Sequence, residues 1–168
     1  LTEFPFQFKS VSGYFDCSYC LITSLEHCPQ SVGGYFNCSH NKQLKSLEHA
    51  PQSVGGGFYC SGCIELTSLE HCPLAVGGSF SCSDCPIILL EYCPQTVSGG
   101  FYCSRCKQLT SLEHAPQSVG GGFNCSYCSI TSLEYAPQTV GGGFDCSGCD
   151  LLINYKDMDD MQCNDKRY

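Results

Sequence analysis

The chain repeats itself every 21 or 22 residues, and that period restricts it to architectures built by stacking copies of one unit. Residues 31–52, SVGGYFNCSHNKQLKSLEHAPQ, and residues 53–74, SVGGGFYCSGCIELTSLEHCPL, place the same letters in the same columns. Seven copies can be cut, beginning at Ser10, Ser31, Ser53, Ala75, Thr96, Ser118 and Thr139, and the pattern decays after Cys149. A unit this short buries its apolar side only against its neighbours, which is the constraint that produces a solenoid.

Within one unit the pattern is V-G-G-x-F-x-C-S-x-C-(x)-x-L/I-x-S-L-E-x-A/C-P-Q. In the third copy Val54, Phe58, Cys60, Cys63, Leu66 and Leu69 are the buried-type positions, and Pro73 closes the coil. Phe and Cys at alternate positions point to one face of a short strand, the residues between them point out, and strands of successive coils pair in parallel. An extra residue follows Asn41, Cys63 and Cys106, and the first, fourth, sixth and seventh copies are read as lacking it. Ser18, Ser39, Ser61, Ser83, Ser104, Ser126 and Ser147 form an unbroken column, expected to bond local backbone or the neighbouring coil. Gly-Gly after Val lets the chain bend into the strand, and Pro marks the return side.

Set on the leucine-rich repeat template, L-x-x-L-x-L-x-x-N/C-x-L, Phe58 and Cys60 take the two strand leucines and Cys63 the Asn/Cys position, which in the second copy is Asn41 itself. The chain therefore resembles leucine-rich repeat proteins over residues 10–153. Its L-x-x-x-P ending and V-G-G start are most similar to the short, Gly- and Cys-containing repeats of tailed bacteriophages and large viruses. The resemblance implies an α/β-type repeat solenoid, mostly short parallel strands and loops, coiled right-handed in about seven repeats of 21–22 residues. It leaves residues 1–9 as a partial N-terminal coil or cap and 154–168 as a C-terminal cap or tail. It also implies an inward structural ladder of Cys20, Asn41, Cys63, Cys85, Cys106, Cys128 and Cys149, in which the asparagine amide satisfies turn backbone groups and a thiol does so more weakly. On function the resemblance is nearly silent, because such repeats serve many partners.

A net charge of -8 with 14% charged residues provides no basic groove, which argues against nucleic acid as a partner. No apolar run approaches the roughly 20 residues of a membrane span, and no basic, apolar leader precedes the repeats. The opening Leu1-Thr2-Glu3-Phe4-Pro5 matches the L-E-x-A/C-P ending of a coil and reads as the remnant of a processed or truncated one.

Of the seventeen cysteines, seven fall at the strand position and six on the ladder. Cys28, Cys72 and Cys93 share a column with Ala50, Ala115 and Ala136. Exchange with Ala or Asn in one column removes the need for a partner sulfur, and buried Cys behaves as a small hydrophobe. In-register strand neighbours also hold their Cβ atoms about 4.8 Å apart, beyond the roughly 3.8 Å a disulfide favours. Mostly reduced, buried thiols are the expectation. Free thiols favour a cytoplasmic or virion-associated protein, and disulfides an extracellular one. The C-x-x-C spacing also fits zinc knuckles, but the strand cysteine is committed to the core and the wrapping loops are missing, so neither metal nor cofactor is expected.

The surface columns carry the remaining candidates. Glu26, Glu48, Glu70, Glu91, Glu113 and Glu134 repeat at one position, followed by His27, His49, His71, Tyr92, His114 and Tyr135, and each Glu is expected to bond a backbone donor or a His of a neighbouring coil. An active site breaks symmetry once, whereas this pair recurs in every coil, so no enzyme is expected. Around the strands, Tyr14, Tyr35, Asn37, Tyr59, Tyr102 and Asn124 make the candidate partner face, with Tyr19, His40, Asp84, Arg105 and Tyr127 varying at its edge. Phe4, Phe6, Phe8, Leu151 and Tyr155 are candidates for end-to-end contacts. The favoured function is non-enzymatic protein interaction or structural assembly, with a protein or a second copy as partner. One alternative is the self-assembling subunit of an extracellular or virion filament. The other is a cysteine-rich metal-binding or ice-binding protein. The ice-binding reading rests on Thr23, Thr67, Thr110 and Thr131, a row read as interrupted by Lys45 and Leu89.

Overall fold

The protein, described here by a computed structural model over residues 2–152, is a parallel β-solenoid. Each coil contributes very short strands because only the residues that meet the same column one coil away are held extended. Phe15–Asp16, Phe36–Asn37, Phe58–Tyr59, Phe80–Ser81, Phe101–Tyr102, Phe123–Asn124 and Phe144–Asp145 form a seven-stranded sheet, called here the Phe sheet. Ser31–Val32, Ser53–Val54, Ala75–Val76, Thr96–Val97, Ser118–Val119 and Thr139–Val140 form a six-stranded Val sheet. All pairings are parallel, and like meets like: Phe36 faces Phe58, and Val32 faces Val54.

Two parts of the expected fold class need correction. No helix occurs among the described residues, so the α/β label fails: the L-x-S-L-E-x-A/C-P return segment is closed by turns at Leu25/Cys28, Leu47/Ala50 and Leu69/Cys72, followed at once by Pro. The expected seven repeats become six coils carrying a strand in both sheets. The first coil has one strand and only an isolated bridge, Val11 to Val32, on the other side. The seventh copy also has the extra residue, contrary to expectation. Leu152 packs on the core while Leu151 is exposed, and Leu152 N–H donates to Cys149 O at 3.1 Å, the same turn as Leu66 to Cys63.

The core is a set of columns along the stack. Phe36, Phe58, Phe80, Phe101 and Phe123 are fully buried, and from Phe15 to Phe144 successive ring centroids lie 5.1–6.1 Å apart. Opposite them stand the buried Val column and the Leu/Ile columns of the return segment. Coils approach closely beneath the Val sheet: a Cβ on Gly55 would collide with the carbonyl oxygen of Gly33, and glycine fills the position after Val in every copy except at Ser12 and Ser98.

At the N-terminal end the aromatic column continues into the preceding segment. Phe4 and Phe8 pack on Phe15 with ring centroids 5.5 and 5.3 Å away, His27 Nδ1 donates to Phe4 O at 3.2 Å, and Phe8 N–H donates to His27 O at 3.1 Å. Replacing Phe80 with Ala, which empties a ring site in the middle of the column, is expected to cost about 3–5 kcal/mol in denaturant unfolding, and Ser81→Ala far less.

Candidate interaction face

The ladder sets the turn that presents this face. Asn41 is fully buried and its amide donates to Cys17 O at 2.9 Å and Cys38 O at 2.8 Å, tying its own coil to the one before. Its Oδ1 has no hydrogen-bond partner among the described residues. In the other coils a thiol makes the backward contact, with Cys63 donating to Cys38 O at 3.4 Å and Cys85 to Cys60 O at 3.1 Å. Cys20 follows the first strand among the described residues and is only partly buried. No disulfide joins the sixteen described cysteines, and no group of three or more His, Cys, Asp or Glu among the described residues is placed to hold a metal ion. A thiol–thiol hydrogen bond and burial together hold Cys38 and Cys60 well above the ordinary thiol pKa, and the same bond draws Cys63 below it.

On the outer side of the Phe sheet, the first, second, third and fifth coils each place one tyrosine, but from two different positions. Tyr14 and Tyr35 precede the strand phenylalanine. Tyr59 and Tyr102 follow it, and their rings fold back over Gly57 and Gly100, where a Cβ would collide with the tyrosine hydroxyls. Positions two apart share a face, so Tyr and Gly have exchanged places around one ring site. Tyr14 and Tyr35 stack at 4.9 Å with an interplanar angle of 8°, and Tyr35 meets Tyr59 at 6.2 Å. Only the first of these pairs is stacked; Tyr35 and Tyr59 are tilted by 57°. Ser79 and Ser81 interrupt the row in the fourth coil. Past Tyr102 it opens into a shallow groove lined by Gly122, Asn124, Gly143 and Asp145.

The two asparagines of the candidate face are already engaged. Asn37 Oδ1 accepts from Ser39 N–H at 3.1 Å and its amide donates to Asp16 Oδ2 at 3.2 Å; Asn124 Oδ1 accepts from Ser126 N–H and Oγ–H at 2.9 and 2.7 Å, and its amide donates to Asp145 Oδ2 at 3.1 Å. These are Asx turns that end the strand and bridge coils. Slight burial works to raise the Asp16 pKa, but hydrogen bonds from Ser18 and Asn37 outweigh it and hold the carboxyl below its ordinary value. The serine column behaves accordingly, bonding the local Asx where one is present and otherwise its neighbours, as in Ser104 to Ser83 at 3.0 Å.

One residue further on, the chain turns through the left-handed region in every coil. Tyr19, His40, Gly62, Asp84, Arg105, Tyr127 and Gly148 all have φ between 52° and 68°. The column pairs along the stack: Tyr19 stacks on His40 at 4.3 Å, the His40 ring covers Gly62, Arg105 Nη1 lies 3.9 Å from Asp84 Oδ2, and the Arg105 guanidinium sits over Tyr127 at 5.6 Å. Gly62 and Gly148 are the sequence signal for this backbone.

On the far edge each histidine of the Glu/His column lies 3.8 Å from the glutamate of its own coil, as in His27 with Glu26 and His49 with Glu48, which replaces the expected contact with a neighbouring coil. The histidines there turn through φ 68–70°, which carries the ring back beside the preceding residue. The serine of S-L-E makes a bond that residue types alone did not reveal, to the Glu backbone and not to its carboxylate: Ser24, Ser46, Ser68, Ser111 and Ser132 accept the Glu N–H two residues on, at 2.9–3.1 Å. In the fourth coil Leu89 stands in this serine column, and Ile88, not Leu89, interrupts the Thr row.

Of the end-to-end candidates, Phe4 and Phe8 are committed to their own first coil, Phe6 is 60% exposed and Leu151 53% exposed. Tyr155 lies outside the described residues. No helix among the described residues is long and apolar enough to cross a membrane. No protein family, curated protein or solved structure matches the chain.

Gly62 combines left-handed backbone with a ring directly over it. Gly62→Val is expected to destabilise the protein by at least about 1–2 kcal/mol, the cost of a side chain in that region, measured as a fall in the denaturation midpoint, whereas Asp84→Gly in the same column is expected to be tolerated.

Proposed function

We propose that this chain is a non-enzymatic leucine-rich repeat protein, similar to the short Gly- and Cys-containing repeats of bacteriophages and large viruses, and that it binds a protein partner through the outer side of the Phe sheet. The finer reading of the coil as a right-handed leucine-rich repeat belongs to the same proposal. The observation that carries it is the tyrosine row. Tyr14, Tyr35, Tyr59 and Tyr102 fill one outward ring site in four of the coils, reached from either of two sequence positions, along a surface otherwise made of Gly, Ser and Asx. Tyrosine offers large contact area at low entropy cost and is enriched in binding hot spots. Asn37 and Asn124 serve this surface indirectly, by fixing the turn beside it.

Interaction is favoured over filament assembly because Phe4 and Phe8 already cover Phe15, leaving Phe6 as the exposed aromatic of the N-terminal segment. Light scattering after size exclusion, with electron microscopy, should find the same monomer for the natural chain and for Phe6→Asp. Oligomers that shrink on that substitution would move the assignment to assembly. In parallel, a photo-crosslinking residue placed at Tyr102 should capture one reproducible protein from the source cells, and the same residue at Thr96 on the Val sheet should not.

A further inference from the structure

The cysteines are spaced in sequence as C-x-x-C, but the fold pairs them differently. The ladder thiol of each coil is turned back onto the strand cysteine of the coil before it. Sγ-to-carbonyl distances are 3.4 Å for Cys63 to Cys38, 3.1 Å for Cys85 to Cys60, 3.3 Å for Cys106 to Cys82, 3.1 Å for Cys128 to Cys103 and 3.1 Å for Cys149 to Cys125. Within a coil the ladder residue meets its C-x-x-C partner through the backbone instead, as in Cys85 N–H to Cys82 O at 3.3 Å. Strand cysteines of successive coils stand in register one strand spacing apart, about 4.8 Å, which is longer than the Cβ separation a disulfide favours. Each ladder sulfur is therefore seated against the strand cysteine of the preceding coil, and strand thiols turn into the same gap, Cys38 Sγ donating to Tyr59 O at 3.5 Å and Cys60 Sγ to Ser81 O at 3.4 Å.

We propose that these five diagonal pairs, Cys38/Cys63, Cys60/Cys85, Cys82/Cys106, Cys103/Cys128 and Cys125/Cys149, are disulfide-forming sites whose oxidant is a small-molecule disulfide such as oxidised glutathione. In each, the ladder thiolate attacks one sulfur of the glutathione disulfide and expels a glutathione thiolate, leaving a mixed disulfide. The strand thiol, losing its proton to that thiolate or to solvent, then attacks the ladder sulfur and expels the second glutathione. Two protein S–H bonds become one S–S bond while one glutathione disulfide is reduced to two thiols. The pairs are buried in the finished coil, so the exchange takes place as the coils dock. The series has one break. Asn41 occupies the ladder position opposite Cys17, so the first diagonal has a single sulfur, and Cys17 Sγ donates to Asn37 O at 3.3 Å.

The test is to refold the reduced chain in mixed reduced and oxidised glutathione, block remaining thiols, digest without reduction and identify linked peptides by mass spectrometry. The expected links are the five diagonals. Cys63→Ser should remove the 38–63 link alone, and Asn41→Cys should add a link between positions 17 and 41. Links within C-x-x-C pairs, any other dominant connectivity, or no links in a chain that regains its native circular dichroism would overturn the proposal.

Discussion

The amide of each strand phenylalanine from Phe15 to Phe123 donates to the carbonyl just before the strand phenylalanine of the next coil, at 2.8–2.9 Å, and the rest of the molecule is arranged around that step. Once this bond sets the register, Phe must stack on Phe, the alternate Cys must point inward beside it, and the residue between them must face out. On the opposite sheet, amides after Val donate backward, as Gly55 N–H does to Val32 O at 2.9 Å, so a coil is tied to both neighbours. No coil is stable alone: its aromatic, aliphatic and thiol groups are buried only by the coils on either side.

The same register explains why the turn beside the outer face is built so uniformly. Asn41 or a ladder thiol reaches back to the preceding coil, an Asx or a serine ends the strand, and one left-handed residue per coil reverses the chain. Freedom is left only where no neighbour makes a demand, at the outward ring site and in the left-handed column. There tyrosine, histidine, aspartate and arginine alternate and pair along the stack. The outcome is a constant frame beside a variable row, with the Glu/His contacts repeated along the far edge.

Much of the fold was legible because a column of identical residues has one simple explanation. Phe36, Phe58, Phe80, Phe101 and Phe123 share a spacing that only in-register burial satisfies, and Val54, Leu66 and Leu69 follow from the same cut. What could not be read was which residues meet across the gap between coils. That Gly57 makes room for Tyr59, or that Cys63 turns to Cys38 and not to Cys60, depends on the stagger between neighbouring turns, which the letters within one repeat do not encode. Backbone handedness was similarly hidden: Gly62 and Gly148 hinted at it, while Tyr19 and Arg105 in the same column disguised it. The helical half of the expected class failed because the return segment is too short and too soon ended by Pro to complete a helix.

The inter-coil register is the central claim, and amide hydrogen exchange resolved by residue measures it directly. The amides of Phe36, Phe58, Phe80, Phe101 and Phe123, together with those of Cys38, Cys60, Cys82, Cys103 and Cys125, donate to the next coil and should be the slowest to exchange. Exposed return-segment amides such as those of Lys45 and Thr67 should exchange far faster. Protection spread evenly along each repeat, or concentrated in the return segments, would contradict a solenoid held by its phenylalanine strands.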